Sequence, residues 1–342
     1  MPRTYILSGI VALFAAILIG FALVSSLTGG GGDDDANAGD PDEFGPSEKP
    51  DEQVAPEDRK PVNIVMAGSD WTIGENNFVF GITNANDEPV GGAEATVTFY
   101  DLSDTKNPKP VATMKAVQSA PGVGPEIVHQ HEGGQHIHGG EDENRVGYYV
   151  PFDFTHAGFW GVLVDAKLED GTTGQDNFAF SVAESPRFPA PGEPAIKSDN
   201  LTAADVADIS EIDSGDPPND MHDVKIKDAI AAGRPLVIVF STPEFCTSRF
   251  CGPVNEEVEA LQDLYEDRID FVHIEVWADF QARQVNPTMK EWMVQPDGSF
   301  AEPFVYLVDK NGIIYDRWEG PVAKNIMEAS VKAVAGGATY QQ

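Results

Sequence analysis

Between residues 61 and 184 apolar and polar positions alternate in short bursts. "VNIVMAG", "NNFVFGITN", "ATVTFYDL", "VATMKAV", "GYYVPFDF", "FWGVLVDAKL" and "NFAFSVAE" are rich in Val, Phe, Tyr and Thr, which predicts strands. Turn-forming stretches separate them: "NANDEPVGG", "DLSDTKNPKP" and "EDGTTG". From Val224 the period lengthens. "DVKIKDAIAAGRP" predicts a helix ending near Gly233, and the unbroken apolar run "LVIVFST" predicts a strand covered on both faces. "VNEEVEALQDLYEDR" places Val254, Val258, Leu261, Leu264 and Tyr265 on one helical stripe. "IDFVHIEVW" is a second buried strand and "NPTMKEWMV" a short helix. "FVYLVDKNGIIYDRWEG" is a hairpin turning at "DKNG", and "VAKNIMEASVKAVA" is a closing helix.

Seven short strands without a helical stretch imply an all-β, immunoglobulin-like antiparallel sandwich over residues 61–184. No cysteine pins it, so it is not an antibody-type domain. "YYVPFDFTHAGFWGVLVDA" resembles the penultimate hairpin of small exported domains of that architecture. The second half, residues 224–342, is α/β. Residues 185–223, opening with the Pro-rich "SPRFPAPGEPAIKSDN", read as a semi-rigid, acidic linker between the two.

The amino terminus changes the setting. After a cytoplasmic stub, residues 1–4, the uncharged run 5–27 is long enough for a transmembrane helix. A cleavable signal has a shorter apolar core, and "LVSS" is a weak cleavage site, so an uncleaved anchor is the expectation and a cleaved signal the alternative. Arg3 precedes the run and "GDDDANAGDPDE" follows it, which places the bulk of the chain outside the cytoplasm, at the cell membrane. Residues 28–60 hold almost no large apolar side chain and read as a disordered acidic tether. Asp and Glu number 56 against 22 Lys and Arg, a formal charge of −34 that repels phosphate backbones and argues against a nucleic-acid partner.

The chain has two cysteines, Cys246 and Cys251, in "STPEFCTSRFCGPV". In an exported protein such a pair can persist as a disulfide and leaves no spare thiol. Inside a regular helix, residues five apart lie beyond the roughly 7 Å that a bridge tolerates. Pro243 argues for loop at Cys246, and Pro253 suits a helix's first turn, so Cys251 falls at the helix mouth and a loop can return to meet it. A helix amino terminus, with Arg249 between the cysteines, favours a thiolate.

Val224 to Ala335 resembles the thioredoxin fold in element order and in placing cysteines between a central strand and the next helix. Phe245 stands where thioredoxins carry an aromatic before the first cysteine, and "CGPV" echoes their Cys-Gly-Pro-Cys. "EPFVYLVDKNG" puts Pro303 where the family has a cis-proline facing the thiols. The resemblance implies thiol–disulfide exchange with exported protein thiols or disulfides, no required cofactor, Cys246 attacking, Cys251 resolving, and Pro303 shaping the substrate groove and blocking metal access. The sequence departs from it in having four residues between the cysteines rather than two. The family's buried carboxylate also has no clear counterpart in "PLVIVFST".

Two other resemblances compete. "TPEFCTSRFC" is similar to the peroxidatic segment of bacterioferritin-comigratory peroxiredoxins, but Thr242 is four residues before Cys246 rather than three, and Ile238 replaces their proline. An anchored thioredoxin fold with two cysteines also resembles Sco-type copper chaperones, whose cysteines lie closer and are joined by a distant histidine. Here His273 in "DFVHIEVW" reads as a strand residue with a satisfied ring, and His222 in "NDMHDV" has no specified partner.

"IVHQHEGGQHIHGG" gathers His129, His131, His136 and His138 in one Gly-rich loop. Two His-x-His pairs can hold copper or zinc, and histidines two apart face the same way on a β-ribbon. A solvated loop that merely protonates below about pH 6 is the plainer reading. Three functions therefore stay open: thiol–disulfide exchange, copper or zinc handling by the histidines and thiols, and a surface adaptor with a permanent bridge.

Overall fold

The computed structural model describes residues 60–122, 124–131, 134–140, 146–246, 250–296 and 298–341, with backbone alone for 124–140. The candidate membrane segment 5–27 and the tether 28–59 lie outside the described residues, as does Arg249. Among the described residues no helix is long and apolar enough to cross a membrane.

All seven runs of the first half are strands. β1 (Val62–Met66), β2 (Gly74–Asn84), β8 (Gly147–Phe154) and β5 (Val117–Ser119) form one antiparallel sheet in that order. β10 (Thr173–Val182), β9 (Gly158–Lys167), β3 (Glu94–Asp101) and β4 (Lys109–Lys115) form the other. Their facing sides share one aromatic core: Trp71, Phe78, Phe99, Phe152, Phe154, Trp160 and Phe180 are buried together. Phe99 stacks on Phe152 at 3.8 Å, and Phe154 meets Trp160 edge-on at 5.1 Å. The histidine stretch is a two-stranded ribbon, β6 (Gly124–His131) against β7 (Gly134–Gly140), outside both sheets.

The second half runs α1 (Ile226–Ala232), β11 (Leu236–Ser241), α2 (Cys251–Tyr265), β12 (Asp270–Glu275), β13 (Trp277–Asp279), β14 (Gln284–Val285), α3 (Pro287–Trp292), β15 (Phe304–Val308), β16 (Ile314–Glu319) and α4 (Lys324–Ala335). The sheet order is β12-β11-β15-β16; β11 is parallel to β12 and antiparallel to β15. Every β11 residue is buried because both faces are covered. Val237 and Val239 pack towards α2 and α4, while Leu236, Ile238 and Phe240 pack towards α1 and α3. Gly233, at φ +68°, ends α1 in the left-handed conformation glycine accepts at least cost. On α2, Val254, Val258, Leu261 and Tyr265 are buried as expected, but Leu264 is 48% exposed. Ten residues on from Val254 it has turned about 80° off the stripe.

The two halves are docked. In β2 and β8 the alternation breaks at Phe78-Val79-Phe80 and Tyr148-Tyr149-Val150, where consecutive residues are all buried. Val79 and Tyr149 point away from the first core and enter that of α2, α4 and β11. Tyr149 donates its hydroxyl to the Glu319 carbonyl at 2.6 Å. Arg317 Nη1 meets Asp70 at 2.9 Å and also donates to the Phe188 and Pro189 carbonyls. Ser119 donates to the Pro321 carbonyl and accepts from Ala323 N–H, each at 2.7 Å. Gly147 is required at this seam, since a Cβ there would lie 2.6 Å from Pro321 Cγ.

Residues 185–223, whose composition marks a linker, are a packed strap. Phe188, Ala190, Ala195, Ile212 and Met221 are buried apolar anchors spaced among the prolines and acids. Asn200 accepts from Ile226 N–H at 2.8 Å and so ties the strap to the start of α1. Polar side chains of this kind satisfy an irregular backbone that would otherwise be costly to bury.

Asp316 sits at the seam, accepting from Asn77 Nδ2 at 2.9 Å and from Ser330 Oγ at 2.7 Å. Burial pushes its carboxyl up to about 6, against those hydrogen bonds. A raised folded-state value stabilises the fold below about pH 4, and that contribution is lost as pH rises through about 6. Asp316→Asn keeps the shape and removes the charge. Urea unfolding should show the variant gaining on the wild type between pH 4 and 7 by at most about 3 kcal/mol; a pH-independent difference would exclude this origin.

Candidate functional site

β11 ends at Ser241, and the following loop carries Phe245 and the half-buried Cys246. Cys251 is the first residue of α2 and is fully buried, with Pro253 in the same first turn. The loop folds back so that the two Cα atoms lie 5.9 Å apart, and the sulfurs form a disulfide. Pro303, just before β15, is buried and follows a cis peptide bond from Glu302. A Glu302 carboxylate oxygen and both cysteine sulfurs lie within 4.8 Å of one another. The family resemblance marks Pro303 and not Glu302, although a residue adjoining a proline expected to face the thiols is itself placed near them.

An aromatic groove runs from the bridge. Phe245 stacks on Phe280 at 4.1 Å, and Trp277 stands edge-on to Phe280 and Phe300. The β13–β14 ribbon, which the sequence pattern did not reveal, presents Trp277 and leads to Phe280, 38% exposed. The groove encloses about 490 Å³, and Glu302 lines it. Its far wall comes from Ala67 and Ser69 of the sandwich and from Glu319 and Gly320.

Behind α2 lies a buried polar network. Asn255, one turn after Cys251, accepts from Ser241 Oγ, and its Nδ2 is 3.4 Å from His273 Nε2. His273 also reaches the Ser241 carbonyl at 3.2 Å and Asn219 Nδ2 at 2.9 Å. The satisfied ring expected of His273 is observed. His222, left without a partner by the sequence, is buried against Asp213 at 3.0 Å. Asp213 further accepts from Gly215 and Asn219 N–H. Burial alone would raise Asp213, but His273 and His222 outweigh it and hold the carboxyl well below its usual range. Burial lowers His222, whereas on His273 the charge of Asp213 overcomes burial and raises it. Ser214 fastens this strap to the cysteine loop, since its hydroxyl accepts from Glu244 N–H at 3.2 Å and its own N–H donates to Glu275. A cavity of about 420 Å³, lined by Asn219, Glu244, Gly252 and Asn255, opens between them.

Among the described residues two groups offer metal-ligand donors: Asp213, His222 and His273, and Cys246, Cys251 and Glu302. In the first the donors already hydrogen-bond one another and Asn219; in the second the sulfurs are bonded together. His129, His131, His136 and His138 lie on the separate β6–β7 ribbon, where the backbone alone is described.

Residues 222–335 match the thioredoxin-like domain family. These residues form a thioredoxin-like domain. Its sheet, its cysteines at the strand-to-helix junction and its cis-proline are the features the sequence resemblance implied. A solved structure titled a thiol:disulfide interchange protein of the thioredoxin family, from Chlorobium tepidum TLS, is similar at 14% identity. It covers 45% of this chain and 100% of that one, with a TM-score of 0.26. No curated protein matches the chain.

The Asp213 carboxylate should make the thioredoxin-like domain acid-sensitive. A depressed carboxyl such as Asp213 stabilises the fold above about pH 4 and loses that contribution as pH falls below it. Asp213→Ala strands His222 and two backbone N–H groups, and at pH 7 should cost about 3–5 kcal/mol in urea unfolding. The deficit should shrink below pH 4; a deficit constant with pH would show that the carboxylate's charge is not what stabilises.

Proposed function

We propose that this protein carries out thiol–disulfide exchange on exported proteins, with Cys246 attacking and Cys251 resolving. The carrying observation is a disulfide joining an accessible to a buried cysteine at the mouth of a helix, in a thioredoxin-like domain with an aromatic groove alongside. The reduced pair has the asymmetry exchange needs: one sulfur open to a substrate disulfide, the other shielded until the mixed disulfide forms. The amino end of α2 favours thiolate at the neighbouring Cys246 sulfur. Pro303 follows Glu302, which lines the groove where an extended substrate would lie.

The setting we infer is extracytoplasmic. The apolar run 5–27 supports an uncleaved anchor, residues 28–60 a tether, and the strand order β1-β2-β8-β5 over β10-β9-β3-β4 an immunoglobulin-like sandwich. A disulfide accords with an oxidising space.

Two measurements test the exchange. Equilibration with glutathione buffers should give a reduction potential above about −300 mV, as for working rather than structural pairs. The full chain should reduce insulin, and Cys246→Ser should abolish that. A lower potential with no activity would leave a permanent bridge and an adaptor.

The histidine ribbon supports a second capacity, binding of Cu²⁺ or Zn²⁺. Its backbone register sets His129 opposite His136, His138 opposite Ile127, and His131 opposite Gly134. At a period of two, these positions share one face of the ribbon. Calorimetric titration should show stoichiometric binding that is lost on replacing His129 and His136 by Ala; millimolar, histidine-independent binding would dismiss it.

A further inference from the structure

We propose that Glu302 is the proton acceptor for Cys251 during exchange, a role that rests on the exchange reading above. Cys251 has no exposed surface, so its thiol has no water to take its proton. An ordinary thiol near neutral pH must lose that proton before it can attack. β11 beneath it supplies only the Ser241 hydroxyl as a polar side chain, and Asn255, one turn along α2, is neither acid nor base. His273 lies beyond Asn255, with its Nε2 turned to the Ser241 carbonyl. Glu302 places a carboxylate oxygen within 4.8 Å of both sulfurs.

Its position also gives the proton a destination. Glu302 is half-buried and lines the aromatic groove, so one carboxylate faces both the resolving sulfur and the space a substrate occupies. The steps balance. Cys246 thiolate attacks one substrate sulfur, forming a mixed disulfide and expelling the other as thiolate, which is protonated in the open groove. Cys251 then gives its proton to Glu302 and attacks Cys246 Sγ, forming the Cys246–Cys251 bond. The second substrate thiolate leaves and takes the proton from Glu302. The substrate gains two electrons and two protons, and the pair is oxidised.

The surrounding charges keep this proton local. Glu319 on β16 lines the same groove, Glu244 lies in the cysteine loop, and no Lys, Arg or His among the described residues lines that groove. A carboxylate and a thiolate this close resist being ionised together, so they share one proton.

The test uses the reduced full chain and one equivalent of the disulfide reagent dithiobis(nitrobenzoate). A first coloured thiolate reports attack, and a second reports resolution by the remaining cysteine. Glu302→Gln should leave the first release within about twofold and slow the second about tenfold or more, as loss of a general base does. Glu302→Asp should recover part of the rate. The wild-type second phase should also lose rate as pH falls through the carboxylate range, a limb absent in Glu302→Gln. An unchanged second phase in Glu302→Gln, or a wild-type profile that follows thiol ionisation alone, overturns the proposal. The reagent reads proton transfer between the two cysteines whatever their natural partner. Failure here is therefore distinct from failure of the insulin and potential measurements.

Discussion

A bridge between residues five apart in sequence cannot close inside a regular helix, and that constraint organises the site. One cysteine must stand outside the helix and the other at its first residue. The loop after β11 meets the requirement by turning through Pro243 and Phe245, which sets Cys246 partly open to solvent while α2 buries Cys251. From this follow the asymmetry of the two sulfurs, the exposure of Phe245 to the groove and the contact with the loop before β15. Even the strap is bound to it, because Ser214 holds the backbone at Glu244 from below.

The α/β half was legible in the chain because its signals are redundant. Long apolar runs, a stripe of spaced aliphatics, a left-handed glycine and two prolines each mark one element, and all agree. The sandwich was legible for the same reason, through seven alternating runs. Features that depend on contacts between distant segments were not. The strap looks like linker because Phe188, Ile212 and Met221 are isolated among acids and prolines, and only the surface they fit makes them anchors. The β13–β14 ribbon is too short to carry a period. His222 acquires a role only when Asp213, nine residues earlier, folds against it. The docking of the halves did leave a trace in "FVF" and "YYV", where a half-exposed sheet should have alternated.

That docking changes what the sandwich is for. It supplies Val79 and Tyr149 to the core of the thioredoxin-like domain and Ala67 and Ser69 to the groove wall. The Asp70–Arg317 pair and the Ser119–Pro321 contact hold the seam where β16 leaves the sheet. Breaking a buried pair of this kind leaves an uncompensated charge, so the seam is costly to open.

A cleft lined by residues of both domains has the form of a sieve. To reach the aromatic ledge of Phe245, Trp277 and Phe280, a rounded protein surface would have to come past Ala67 and Ser69 of the sandwich. A single extended stretch of chain can pass. On the exchange reading, such a slot would favour partners caught unfinished, with their cysteines on strands not yet tucked away.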